Sequence, residues 1–167
     1  GTGTGVEGGV AFTVAAFLSF SPNAFAIDAF YLGGRVGHVA LSGGLHSSYS
    51  NTIGFGVDLG LQVNSGLDVL FQSQFSPHSG PTESLKLFAN TLDANLHIGQ
   101  ANDFDFTLQA GPGFYSFSAS GLSETRFGLN FGAGADIVVD ENLRVGLDWR
   151  YHILFGTSST DYNFWST

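Results

Sequence analysis

Cysteine is absent from the 167-residue sequence, and basic residues are scarce, with five Lys and Arg against 14 Asp and Glu. Without cysteine, neither disulfide bonds nor thiolate metal sites can form. A net charge of −9 argues against nucleic acid as a partner, because phosphates require clustered Lys and Arg. The same charge argues against a basic helix lying on a membrane surface. These absences exclude several classes of site and partner.

Long apolar runs are also missing, although apolar residues make up 43% of the chain and include 17 phenylalanines. No stretch of about 18 apolar residues occurs, so a transmembrane helix is excluded. The other structure that satisfies its own backbone hydrogen bonds in lipid is a closed β-barrel. The periodicity of the sequence therefore has to decide whether a barrel is present.

Apolar residues alternate with polar residues or glycine along most of the chain. The pattern is clearest over residues 127–139 and resumes over residues 143–155 after a short polar turn. In the first of these runs, the apolar face consists of Phe127, Leu129, Phe131, Ala133, Ala135, Ile137 and Val139. A two-residue period predicts β-strands. Runs of about ten to fourteen residues match tilted membrane crossings better than the strands of soluble proteins.

Connections between the predicted strands alternate in length. Short ones fall at residues 64–66, 100–103 and 140–142, and longer polar ones fall at residues 42–51, 76–84, 118–125 and 156–161. Short periplasmic turns and long external loops are typical of outer-membrane barrels. The sequence therefore predicts an all-β fold, a closed antiparallel transmembrane β-barrel of about eight strands, formed by a single domain over residues 1–167.

The first segment, residues 1–20, has two interpretations. As a secretory signal, it would consist of an apolar run over residues 10–20, with the Ala-Phe-Ala sequence at residues 24–26 as its cleavage site. As a strand, it would complete an even number, because about seven strands follow it. Glu7 stands where a signal would carry a basic residue, which favours the strand. Such a strand, ahead of the usual first one, would give a circularly permuted order.

An alternating strand that ends in phenylalanine, as residues 6–20 do at Phe20, resembles the closing strand of the small eight-stranded outer-membrane proteins. These are the OmpA-transmembrane, OmpX and OmpW-like group. The strand pattern extends the resemblance over nearly the whole chain, without a diagnostic motif. The resemblance implies a bacterial outer-membrane location with polar loops at the cell surface, and it carries no catalytic residues onto this sequence. The chain departs from the group in having this strand at the front.

Charged residues lie mostly on the polar face of the predicted strands. We expect them to meet in the lumen, because an eight-stranded barrel is just wide enough for side chains to fill it. Unpaired buried charges are costly, so these groups must pair. The predicted lumen charge network consists of Arg35, Arg126, Arg144, Arg150, Asp58, Asp68, Asp93, Asp105, Asp136, Asp148 and Glu7. Such a network favours a structural plug over a gated ion path.

Aromatic residues near strand ends on the apolar face predict a girdle at the lipid headgroups. The candidates are Trp149, Tyr151, Phe155, Phe71, Phe75 and Phe114. A soluble barrel is disfavoured, since its water-facing surface would carry several lysines and Lys86 is the only one. Histidines show no metal-ligand spacing. The Ser-rich segment 46–51 is weak evidence for a catalytic triad, because loops favour such residues anyway.

These features predict a structural or interaction protein of the outer membrane, with a polar, mostly occluded lumen and surface-exposed loops. The alternatives are a narrow channel for small solutes and, third, a lipid-modifying outer-membrane enzyme. We expect no enzyme activity, no cofactor and no metal. The expected partners are outer-membrane lipid or detergent and not nucleic acid, and the barrel is expected to be monomeric with a loop partner that the sequence does not identify.

Overall fold

The computed structural model describes residues 13–20, 30–43, 49–140, 143–155 and 162–166. These residues form nine antiparallel strand segments in one sheet. In chain order they are β1 (Thr13–Phe20), β2 (Phe30–Gly43), β3 (Thr52–Asn64), β4 (Leu67–Ser79), β5 (Ser84–Ala101), β6 (Phe104–Ala119), β7 (Leu122–Asp140), β8 (Leu143–Leu154) and β9 (Tyr162–Ser166). Among the described residues, no helix is long and apolar enough to cross a membrane.

Alternation gives the sheet one apolar and one polar face, as the sequence predicts. Large apolar side chains such as Leu129 and Leu147 are exposed, whereas Asp58, Asp93 and Arg150 are almost completely buried. This distribution is the reverse of that in a soluble globule, where charged residues are almost never fully buried unless paired. It suits a barrel whose outer surface meets lipid and whose lumen holds polar groups.

The pairing of strands returns to its starting strand. Each strand from β1 to β8 pairs with the next, and residues 13–18 of β1 also pair with residues 143–148 of β8. The sheet therefore closes on itself, and the predicted fold class is confirmed. Closure leaves no exposed edge, which is the condition for a sheet to cross a bilayer.

One position in the barrel wall is shared by β1 and β9. β1 pairs with residues 30–36 of β2, and β9 pairs with residues 39–43 of the same strand. Thr13 of β1 lies opposite Asp148 of β8, and Ser166 of β9 lies opposite Arg150 of the same strand. Counted along β8, one residue position therefore separates the two segments. Both are antiparallel to the same two neighbours, and they run in the same direction. The nine described segments thus occupy eight wall positions.

The predictions for the first segment are only partly within the described residues. Thr13–Phe20 is a strand between β2 and β8, which is where the strand interpretation puts it. Residues 1–12 and the Ala-Phe-Ala sequence at residues 24–26 lie outside the described residues, so the rest of the segment stays a prediction.

Three connections at one end of the barrel, called the turn end, are short as the sequence predicts. Two residues separate β3 from β4, β5 from β6, and β7 from β8. At the opposite end, called the loop end, the predicted long loops at residues 76–84 and 118–125 are wrong. β4 and β5 continue until only residues 80–83 join them, and Ser120-Gly121 alone joins β6 to β7.

The tight turn between β6 and β7 explains this error. Ser120 and Gly121 have φ angles of 50° and 80°, which fit the type I′ turn that two-residue hairpins favour. The serines that suggested loops instead belong to long strand ends, since β5 has 18 residues and β7 has 19. These hairpins are longer than the membrane crossing of about 9–11 residues, so they extend beyond it.

Candidate functional site in the barrel lumen

The middle of the lumen is organised by two buried arginines, Arg35 on β2 and Arg150 on β8. Arg35 Nε donates to both carboxylate oxygens of Asp58 at 3.0 Å, and its Nη2 donates to Oδ2 at 2.9 Å. Its Nη1 donates to Asp148 Oδ2 at 3.1 Å. A guanidinium has several donors in a rigid fork, so it fixes two carboxylates at once.

Arg150 extends this set of contacts across the barrel. Its Nε donates to Asp148 Oδ2 at 2.9 Å and its Nη1 donates to Asp93 Oδ2 at 3.1 Å. Its Nη2 donates to Gln109 Oε1, and Gln109 Nε2 donates to Asp148 Oδ2 at 3.1 Å. Together with Arg35 and Asp58, these residues form the central network. It connects β2, β3, β5, β6 and β8 through side chains alone.

Neutral side chains complete the surroundings of Asp93. Asn130 Nδ2 donates to Asp93 Oδ1 at 2.6 Å, and Thr91 Oγ1 donates to Oδ2 at 2.7 Å. Asp93 is only 1% exposed. A carboxylate so deeply buried requires both a counter-charge and hydrogen-bond donors, and Asp93 has both. The sequence analysis did not single out these neutral donors, although they share the polar phase of their strands.

Nearer the turn end, His97 lies between two carboxylates. Its Nε2 is 3.0 Å from Asp68 Oδ2, and its Nδ1 is 2.5 Å from Asp105 Oδ2. Tyr31 Oη donates to the same Asp68 oxygen at 3.1 Å. The ring of Tyr31 crosses the backbone at Gly60, where a Cβ atom would overlap it. Glycine at that position therefore lets the tyrosine reach the cluster.

A cavity of about 40 Å³ is lined by residues of both groups and by Asp136 and Arg144. The Arg144 side chain is 36% exposed, and its Nη1 is 4.0 Å from Asp105 Oδ2. The cavity has room for a few water molecules. It is far smaller than the 300–1,000 Å³ or so of a typical ligand pocket, so it is not a binding site for an organic solute.

On the loop side of the central network, the interior becomes apolar. Eight buried residues make up this apolar layer: Val39, Leu41, Leu85, Leu87, Ala89, Tyr115, Phe117 and Leu154. No apolar layer in the lumen is predicted from the sequence, because the alternation is interpreted as placing only polar residues and glycine on the inward phase. Leu85 and Leu87 share the phase of Asp93, so extending the pattern towards the loop end would have found them.

Two serine–histidine pairs lie inside the barrel next to this layer. His152 is 3.0 Å from Tyr115 Oη through Nδ1 and 2.7 Å from Ser166 Oγ through Nε2. His78 Nε2 is 3.1 Å from Ser76 Oγ. None of these five side chains is more than 1% exposed. A nucleophilic serine has to meet its substrate, so this burial argues for a packing role.

The predicted lumen charges fall into three places in the structure. The central network includes Arg35, Arg150, Asp58, Asp93 and Asp148, the His97 cluster includes Asp68 and Asp105, and the cavity wall includes Asp136 and Arg144. Arg126 lies apart from these groups, and its Nε donates to Glu124 Oε1 at 2.8 Å. Glu7 lies outside the described residues. The functional role of this network stays a prediction.

The six predicted girdle residues share the outward phase of their strands. Phe131 contacts Trp149 and Tyr151 with ring centroids 6.4 Å and 5.6 Å apart. Phe114 and Phe155 both contact Phe127, at 5.5 Å and 6.1 Å. Phe75 lies 4.7 Å from Phe88, and Phe71 is 43% exposed. Whether these rings meet lipid headgroups stays a prediction.

Comparisons with known proteins agree with this geometry. The model of the family described as outer membrane protein beta-barrel domain matches residues 11–167. Among solved structures, Neisserial surface protein A is similar, with a TM-score of 0.65 and 16% identity, covering 93% of this chain and 91% of that one. Ail, the attachment invasion locus protein of Yersinia pestis, has a TM-score of 0.41 and 16% identity, covering 93% and 94%.

No curated protein matches the sequence, and structural likeness at such low identity shows the fold alone. The family match covers nearly the whole chain. The chain therefore belongs to the outer membrane protein β-barrel domain family, and it is a protein of the bacterial outer membrane.

Proposed function

We propose that this protein is a monomeric structural and interaction barrel whose lumen is occluded and whose loop end contacts partners at the cell surface. The observation that carries the proposal is the succession of two layers inside the barrel. The central network fills the middle with paired charges, and the apolar layer follows it on the loop side. A solute would have to pass both layers to cross the barrel.

The two layers oppose transport in different ways. Arg35 and Arg150 hold their carboxylates at 2.9–3.1 Å, so an ion passing this level would have to break charged hydrogen bonds in a buried site. The apolar layer offers an ion no replacement for its hydration shell, and apolar constrictions are known to close pores by excluding water. The combination supports an occluded lumen over the alternative of a narrow channel.

The absence of enzyme activity belongs to the same proposal. The serine–histidine pairs at His78 and His152 are buried. From the segment at residues 46–51, two of the described residues make structural contacts: Tyr49 Oη donates to Glu83 at 2.9 Å, and Ser50 Oγ donates to Ser79 O at 3.0 Å. These contacts support a role in holding the loop end together.

Liposome swelling tests the occluded lumen. Purified protein is reconstituted into liposomes, and swelling is followed by light scattering in isotonic solutions of glycine, arabinose and glucose. We expect swelling no faster than in protein-free liposomes, because no solute passes both layers. An open general porin serves as the positive control. Swelling that approaches the porin control for the smallest solute would overturn the proposal in favour of the channel.

A further inference from the structure

A second and much larger space opens at the loop end of the barrel. This tip groove has a volume of about 490 Å³, which falls within the range of about 300–1,000 Å³ typical of small-molecule sites. It is lined by Tyr49, Glu83, Leu85, Phe117, Ala119, Ser120, Leu122, Ser123 and Glu124. The lining comes from the β2–β3 connection and from the two long hairpins, β4–β5 and β6–β7.

Glu83 holds these three elements together around the groove. Its Oε1 accepts a hydrogen bond from Tyr49 Oη at 2.9 Å, and its Oε2 accepts one from Ser120 Oγ. Backbone contacts support the same arrangement, since Ser50 N donates to Ser79 O at 2.8 Å and Gly80 N donates to Glu83 O at 2.8 Å. Both oxygens of the carboxylate are therefore fixed by hydroxyl groups, in a site built from side chains of separate elements.

The floor of the tip groove is apolar. Leu85 and Phe117 belong to the apolar layer that closes the lumen, and Ala119 packs against that layer. Leu122, at the start of β7, is 78% exposed and adds an apolar wall. The groove thus exposes apolar surface whose other side rests on a packed core. An apolar group of a ligand would bury this surface without moving the barrel.

The two charged residues that line the groove, Glu83 and Glu124, are both acidic. Glu124 is 59% exposed and pairs with Arg126, whose side chain is buried. Glu83 forms no ion pair with a basic residue in the described part of the chain, and its two bonds are to neutral hydroxyls. Among the described residues, the Glu83 carboxylate therefore has no basic partner beside the apolar floor. This arrangement is complementary to a molecule with an apolar body and a positively charged end.

We propose that the tip groove binds small amphiphilic cations, in which an ammonium group meets Glu83 and Glu124 and an apolar body lies on Leu85, Phe117 and Leu122. This inference rests on the interaction role proposed above and names a ligand class for it. Charge supplies the discrimination, because an ammonium group that donates to a carboxylate gains more free energy than an alcohol of the same shape. An anionic analogue is repelled by the same groups.

The test uses three probes with the same apolar body: 4-phenylbutylammonium, 4-phenylbutanol and 4-phenylbutanoate. Each is titrated calorimetrically into the full chain held in phosphatidylcholine nanodiscs, with empty nanodiscs as the blank. We expect saturable binding of the cation at least ten times tighter than that of the alcohol, and no measurable binding of the anion. Equal binding of all three probes, or no binding of the cation above the blank, would overturn the proposal.

Variants locate the site. Glu83→Gln should bring the affinity for the cation to within about threefold of that for the alcohol, and Ala119→Trp should abolish binding of both by filling the groove. Asp103→Asn removes an equal charge from the turn end and should leave binding unchanged. A heat-modifiability gel establishes that each variant is folded.

If Asp103→Asn weakens binding as much as Glu83→Gln does, the cation follows net charge and the groove is not the site. This test is independent of the swelling experiment. A barrel that binds the cation and also conducts would overturn only the occluded lumen, whereas a closed barrel that does not bind would overturn only the groove.

Discussion

At the scale of single residues, stability depends on pairs of charges that are buried together. Arg150 is 2% exposed and neutralises Asp93 and Asp148 in one site. Both carboxylates would remain in the lumen if the guanidinium were removed. Breaking a buried ion pair in this way costs about 3–5 kcal/mol, because a desolvated charge is left without its partner.

Arg150→Ala should therefore lower the free energy of unfolding by about 3–5 kcal/mol. Urea titration of the barrel in lipid vesicles, followed by tryptophan fluorescence, measures this change. Arg144→Ala is the matched control. The Arg144 side chain is 36% exposed and lies 4.0 Å from Asp105, so its loss should cost less than about 1 kcal/mol. Equal costs for the two variants would contradict the central network as a buried stabilising element.

At the scale of strands, the stability of the barrel in a bilayer depends on which face of each strand meets lipid. Leu129 of β7 is 45% exposed in the span of the barrel. Leu122 of the same strand is more exposed, but it lies at the loop end beside Glu124. The same substitution at the two leucines therefore separates lipid exposure from water exposure.

Leu129→Arg should destabilise the barrel by about 2–4 kcal/mol, which is the cost of arginine near the bilayer midplane. Leu122→Arg should cost about 1 kcal/mol or less, because water reaches that position. The urea titration in lipid vesicles measures both. If arginine is tolerated equally well at the two positions, the outer face of β7 is not in lipid.

The shared wall position of β1 and β9 gives a second prediction for the strands. Val14 pairs with Leu147 across the closure, and paired strands hold their Cα atoms about 4.5–5.5 Å apart, within disulfide range. The chain has no cysteine of its own. Val14→Cys combined with Leu147→Cys should therefore cross-link efficiently under mild oxidation, as seen by a change in mobility on a non-reducing gel.

Val14→Cys combined with Ile153→Cys is the control for this experiment. Ile153 pairs with Asn163 of β9 and lies six residues farther along β8, roughly 20 Å away at about 3.3 Å per residue. This pair should remain reduced. Preferential cross-linking of the control pair would mean that β1, and not β9, occupies the loop-end half of the shared position.

The sequence predicts the strands well because the two-residue period acts locally, but it predicts their ends poorly. Serine-rich segments near Ser79 and Ser120 suggest loops. In the structure, cross-strand pairing extends the strands of both hairpins through most of these segments. The sequence also predicts which charged residues face the lumen, since Arg35, Arg150 and Asp58 all lie on the polar phase of their strands. The choice of partner for each charged residue depends on the register between strands. The sequence of a single strand does not determine that register.

At the scale of the whole molecule, two features of the interior distinguish the barrel from an open pore. The polar residues form connected pairs, and the interior on their loop side is filled by apolar side chains such as Leu85, Leu87 and Val39. An eight-stranded barrel is just wide enough for such side chains to fill it. The filling of the interior is therefore determined by the number of strands and by the residues that face inward on each strand.

The same construction divides the molecule by function. In the proposals made above, the central network stabilises the barrel, the outward-facing side chains contact lipid, and the long hairpins hold the tip groove outside the membrane. Changes in the lumen should affect stability and leak, whereas Glu83→Gln should change cation binding without opening the lumen. The occluded lumen and the cation-binding groove can therefore be tested independently, and either proposal can be wrong while the other is right.

Planar-bilayer conductance of the purified protein tests the occluded lumen most directly. We predict that the wild-type barrel inserts and stays at the background conductance of the membrane. Replacing Arg150 and Leu87 together by alanine should produce measurable current, since one substitution opens the central network and the other opens the apolar layer. A steady, ion-selective current through the wild type, unchanged in the double variant, would contradict the occluded barrel and identify a channel.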